Sequence, residues 1–168
     1  MSIEDSTGNP DNPLYDFDLS LKRVKAARAA IDKAGPDVVF TARSEGFIRN
    51  RPDLAETIRR LKAYAEVGAD CLYAPGIKTP EEIQAVVSAV APKPVNFLMA
   101  SATHFSVADL EKLGVRRISL GSTLARVAWA AVIRATREIA DEGKFTSLAG
   151  ADFNAFFGSN MKQRGSKS

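Results

Sequence analysis

A single cysteine, Cys71, rules out an internal disulfide, and the single histidine, His104, falls in a loop and reads as a surface residue. No apolar run approaches the roughly 20 residues of a membrane span, and the first residues lack the basic-then-apolar order of a secretion signal. A reducing cytoplasm and no membrane partner are therefore expected. One-sided charge is also missing: 23 Lys+Arg against 20 Asp+Glu give a net +3. The clearest basic excess is the tail Lys162-Gln163-Arg164-Gly165-Ser166-Lys167, which reads as a disordered solvated end over 159–168, so no nucleic-acid partner is expected. A glycine-rich G-x-G-x-x-G turn is absent too. Gly121-Ser122-Thr123 comes nearest and lacks the spacing, which disfavours a dinucleotide-binding sheet.

What is present is an ordinary globular composition, 45% hydrophobic and 26% charged over 168 residues, enough for one core and one domain over 1–158. The chain is organised around the run Val38 to Gly46, which reads as a buried strand ending in Arg43, Glu45 and Gly46. Strand-end charges are where parallel α/β proteins keep their chemistry. Ahead of it, residues 1–5 read as a strand stub, and an acid-capped helix is expected from Asp18 to the Gly35-Pro36 stop. Behind it, the spacing predicts a helix from Pro52 to Gly68 with Leu54, Ile58, Leu61 and Ala65 as its stripe, then a strand over 69–74. Thr79-Pro80-Glu81-Glu82 forms a capping box, and Ser106 to Asp109 repeats it for a short helix through Leu113. Further strands are expected over 95–99 and 115–120, then a long helix opened by Gly121-Ser122 and ended by Gly143, with Phe153, Phe156 and Phe157 in a last amphipathic segment.

Strands alternating with helices through short loops form the βα repeat of a parallel sheet. The strands read as continuously apolar, as if covered on both faces. Four full strands and a stub are about half of a (β/α)₈ barrel, which takes eight strands and about 250 residues.

Ile3-Glu4-Asp5-Ser6, Ala42-Arg43-Ser44-Glu45, Gly68-Ala69-Asp70 and Gly114-Val115-Arg116-Arg117-Ile118-Ser119-Leu120-Gly121, in this order, resemble the isocitrate lyase and phosphoenolpyruvate mutase superfamily. The likeness is greatest to its phosphonomutase-like members and runs from residue 2 to about 158. It implies an α/β partial TIM (β/α)₈ barrel, its last four to five βα units, with Met1 near the end of the fourth strand and the three earlier units absent. It also implies bound Mg2+, a small carboxylate or phosphonate substrate, and cleavage or rearrangement of C–C or P–C bonds through an enolate-like intermediate. Homo-oligomers assembled through the helix near 122–142 are a further implication.

On the same resemblance Glu4, and more weakly Asp5, are candidate magnesium ligands, hard oxygen donors of the kind that ion prefers. Arg43 is the candidate substrate clamp, since its planar fork of donors suits a carboxylate or phosphonate. Glu45 would orient it or a substrate group. Asn96 could present an amide to substrate, although the superfamily's polar residue lies two positions on, at Leu98. Gly121 and Ser122 could offer helix-start amides to an anion, with simple capping by Ser122 the plainer explanation. The lyases carry a cysteine after the Ile-Glu-Asp strand, the loop from Ser6 to Leu14 has none, and Pro75 stands where they carry a glutamate. Isocitrate and methylisocitrate cleavage are thereby disfavoured. A catalytically silent half-barrel that acts only by assembly is the alternative expectation.

Overall fold

The computed structural model describes residues 1–35, 37–102, 104–150, 152 and 155. Five parallel strands, β1 (Ser2–Glu4), β2 (Thr41–Arg43), β3 (Cys71–Tyr73), β4 (Val95–Leu98) and β5 (Arg117–Ser119), lie side by side in chain order. Consecutive strands are joined by α1 (Phe17–Ala34), α2 (Leu54–Glu66), α3 (Pro80–Val90) and α4 (Val107–Lys112), the connection that a parallel pair requires. The stub at the N-terminus is thus a true strand, pairing Ile3 with Ala42 and Glu4 with Arg43.

The helix starts follow local chemistry. Thr79 accepts from the Glu82 amide at 3.2 Å while the Glu82 carboxylate accepts from the Thr79 amide at 3.1 Å, so the capping box closes both ways, and Ser106 and Asp109 repeat it. α1 begins earlier than expected, because Asp16 rather than Asp18 caps it by accepting from the Leu19 amide.

The strands are three or four residues long, shorter than the apolar runs suggest, and Val38 and Val39 at the head of the central run are exposed. They also alternate, contrary to the continuous apolar reading. Ala42, Leu72, Val95 and Phe97 turn to one face and pack with Val24, Leu61, Ile83, Val86 and Leu110 of the helices in a single cluster. The opposite face carries Thr41 and Arg43, Cys71 and Tyr73, Asn96, and Arg117 and Ser119.

α2 buries Thr57, Arg60 and Tyr64 together with Leu61, so its inner stripe is partly polar. The Tyr64 hydroxyl donates to Asp5 Oδ2 at 3.1 Å and lies 3.0 Å from Ser20 Oγ. Burial, reinforced by the Asp5 charge, pushes the phenol up from 10.0 to about 12. A raised folded-state pKa contributes stability that is complete below pH 10 and is lost as pH rises to about 12. The expected loss is about 2–3 kcal/mol. Urea titrations of wild type and Tyr64→Phe at pH 9 and pH 12 check this: the wild type must lose more than the variant, and equal losses would refute the assignment.

Residues from Leu124 onward belong to a second compact unit, whose described part holds most of α5 (Thr123–Glu142). Within it, Glu138 accepts from the Thr146 and Ser147 amides at 3.0 and 2.9 Å, and hydrogen bonds from these two residues lower its carboxyl to about 2. Within α5 only Ala135 is buried, while Leu124, Val127 and Trp129 stand exposed. Among the described residues no helix is long and apolar enough to cross a membrane. Phe153, Phe156, Phe157 and the basic tail lie outside the described residues.

Candidate active site on the inner face of the sheet

The register places five side chains in one row across the sheet. Glu4 is level with Arg43, Arg43 with Tyr73, Tyr73 with Asn96, and Asn96 with Arg117. Because side chains alternate along a strand, all five share the face turned away from the helices. Arg43, Tyr73, Arg117, Ser119 and Gly121 help to line a cavity of about 590 Å3 on this face.

Arg43 is the best-anchored member of the row. Its Nε donates to Glu45 Oε1 at 2.7 Å, its Nη2 lies 3.4 Å from Glu4 Oε2, and its guanidinium sits 4.9 Å from the centre of the Tyr73 ring. Glu45 is fully buried, and Oε2 is without a hydrogen-bond partner among the described residues. Burial raises its pKa and the Arg43 charge opposes that rise. A carboxylate without water is costly unless paired, so Glu45 needs Arg43 as much as it steers it.

A second layer holds Glu45 in place. Asp5, one residue past Glu4 and so on the opposite side of the strand, accepts from the Glu45 amide through Oδ1 at 2.8 Å. Asp5 Oδ2 accepts from Arg60 Nη1 and from the Tyr64 hydroxyl, both at 3.1 Å. The chain Arg60–Asp5–Glu45–Arg43 therefore links the buried face of α2 to the inner face of the sheet. Gly46 lets the backbone pass here, since a Cβ would stand 2.8 Å from the Arg51 carbonyl oxygen.

The residues singled out in the sequence separate accordingly. Glu4, Arg43 and Glu45 come together. Asp5 does not join them as a metal ligand, because its oxygens are spent on Arg60, Tyr64 and the Glu45 amide within the core. Asn96 is fully buried and both ends of its amide are engaged: Nδ2 donates to Ser119 Oγ at 2.9 Å and Oδ1 accepts from Arg117 Nη1 at 2.8 Å. Gly121 borders the cavity at a φ of +54°, while Ser122 is exposed in the turn and α5 begins one residue later, at Thr123. Among the described residues no three His, Cys, Asp or Glu side chains come together as a metal cluster. One half-exposed Glu4 carboxylate, already beside Arg43, does not by itself fit magnesium, which asks for a near-octahedral oxygen shell.

Sequence reading missed Arg117, Tyr73 and Ser119. A usable signal existed, the two-residue spacing of polar side chains in Thr41/Arg43, Cys71/Tyr73 and Arg117/Ser119, and it was hidden by the apolar residues between them.

Residues 1–140 match the family model described as phosphoenolpyruvate phosphomutase. The chain is 31% identical over 142 residues to an uncharacterised protein of Mycobacterium tuberculosis, covering 84% of this chain and 51% of that one. It is 32% identical over 117 residues to the oxaloacetate decarboxylase of Paraburkholderia xenovorans, covering 70% and 36%. It thus spans about half the length, or less, of these curated relatives. A crystal structure from Burkholderia cenocepacia J2315, described only provisionally as a lyase/mutase, superposes with a TM-score of 0.86 at 43% identity over 92% of this chain and 56% of that one. Phosphonopyruvate hydrolase, solved with oxalate and Mg2+, superposes with a TM-score of 0.75 at 28% identity, covering 97% and 59%. With the match to the family model covering most of its length, and with these superpositions beside it, the chain belongs to the phosphoenolpyruvate mutase family of the phosphoenolpyruvate mutase/isocitrate lyase superfamily.

Proposed function

We propose that the inner-face site binds a small 2-oxo- or 2-hydroxycarboxylate or a phosphonate, for lyase, mutase or hydrolase chemistry on a C–C or P–C bond through an enolate-like intermediate. The observation that carries this reading is Arg43. It is a guanidinium at a strand end, fixed by a buried carboxylate and opening on a cavity, in a chain of this family. A fixed, planar donor fork binds and orients a carboxylate without first having to be ordered itself. Its charge would also counter the negative charge that grows on an enolate bound beside it, since a preorganised cation in a partly desolvated site lowers the energy of that state.

Magnesium is present with oxalate in phosphonopyruvate hydrolase, and a site for it here would need oxygen donors beyond Glu4. Glu4 is the one described residue we assign as a candidate ligand, and no step here is routed through the metal. Homo-oligomers through α5 and a cytoplasmic setting complete the proposal. The exposed Leu124, Val127, Trp129 and Val132 support the first.

The test is incubation of the purified protein with 2-oxo and 2-hydroxy diacids and with phosphonopyruvate, with and without Mg2+, followed by proton and phosphorus NMR. Turnover of at least one compound is expected. None, from soluble folded protein, would contradict the reading. It would favour the second, a silent half-barrel that acts by assembly, for which one observation speaks: β1 and β5 each have a strand neighbour on one side only among the described residues.

A further inference from the structure

The row across the sheet holds two arginines, and their surroundings differ. Arg43 is flanked by two carboxylates, Glu4 and Glu45. Arg117 forms no ion pair among the described residues; the partner of its Nη1 is the neutral Asn96 Oδ1, at 2.8 Å. It is exposed, and with Arg43 it lines the same cavity of about 590 Å3. Asn96 is well suited to present it. The amide is fully buried, Nδ2 donates to Ser119 Oγ, and the guanidinium, which can only donate, requires Oδ1 as the end that faces it.

A cation over a cavity, aimed by a buried neutral amide and given no countercharge, is an anion site waiting for its anion. Three strand spacings separate Arg43 from Arg117, about 14 Å along the sheet, which two arginine side chains and a small diacid between them can span. We propose that Arg117 is a second anion-binding residue of this site, taking the distal acidic group of a substrate whose proximal carboxylate sits on Arg43, and so selects dianions over monoanions. Asn96 is the positioning residue that sets Arg117. The inference rests on the proposed role of Arg43 and goes beyond it by assigning the far end of the substrate.

Succinate and its monoamide, succinamate, differ in one charge at nearly constant shape, and calorimetric titration of the purified full chain with each reads the effect. The wild type should favour succinate about ten- to hundredfold, the usual worth of hydrogen bonds to a charged group. Arg117→Gln should reduce that ratio to near one while leaving succinamate affinity unchanged, Arg117→Lys should restore part of it, and Asn96→Ala should lower the ratio without weakening succinamate. An unchanged ratio in Arg117→Gln overturns the proposal. So does a wild type that binds oxalate yet does not distinguish the pair, and in both cases the Arg43 reading survives if Arg43→Gln loses oxalate. Oxalate binding that is indifferent to Arg43→Gln, or absent from the wild type, defeats the reading beneath the proposal and the proposal with it.

Discussion

Replacing Arg60 by methionine is expected to lower the unfolding free energy by about 3–5 kcal/mol, because it leaves the Asp5 carboxylate buried without its cation. Side-chain exposure is 8% for Arg60 and 1% for Asp5, so solvent cannot take over the lost charge. Arg60 also donates to the Tyr15 carbonyl at 3.0 Å and to Glu56 at 2.8 Å, so the change frees further acceptors. The partner change Asp5→Asn keeps the shape but removes the charge, and the double variant should be less destabilised than the sum of the single ones, since each removes the reason for the other's cost. Urea unfolding of the four proteins gives the cycle, and strict additivity would contradict the buried pair. The pair also matters beyond stability, for Asp5 fixes the Glu45 amide and Glu45 fixes Arg43.

Much of the fold could be read from the sequence because its punctuation is local. The Thr79/Glu82 and Ser106/Asp109 boxes and the glycines after α2, α4 and α5 act within a few residues, and the order of strands and helices follows. The alternation of the strands was not legible in the same way. A three-residue strand such as Arg117-Ile118-Ser119 holds too few positions to show a period of two, and Arg116 directly before it breaks the alternation. The candidate site divides along the same line. Arg43 and Glu45 are neighbours in sequence and in space, and the resemblance covers them. Asp5 was misplaced because adjacent strand residues look alike in sequence and face opposite sides in space, so the Glu4-Asp5 pair could not both reach one ion. Arg60 and Tyr64 were passed over because the stripe was sought among apolar residues, and a buried arginine is recognisable only once Asp5, 55 residues away, lies beside it. Arg117 gains meaning only from strand register, which no local pattern supplies.

The other large effect expected falls on ligand binding. Arg43→Gln keeps most of the side-chain volume and removes the charge, so the cavity persists while its anchored cation is gone. Loss of two charge-assisted hydrogen bonds to a carboxylate should weaken oxalate binding by about a hundredfold or more. Glu45 would then be a buried acid without its cation. With the opposition of Arg43 removed, its already raised pKa should rise further, and the variant should lose some stability at neutral pH. Thermal unfolding of the same sample therefore belongs with the binding experiment, to establish that weak binding is measured on folded protein.

Calorimetric titration of oxalate into the wild type and into folded Arg43→Gln, under identical buffer and magnesium concentration, decides whether Arg43 anchors the ligand. Saturable binding to the wild type and a loss of about a hundredfold or more in the variant are expected. Equal affinity in the two proteins would contradict it.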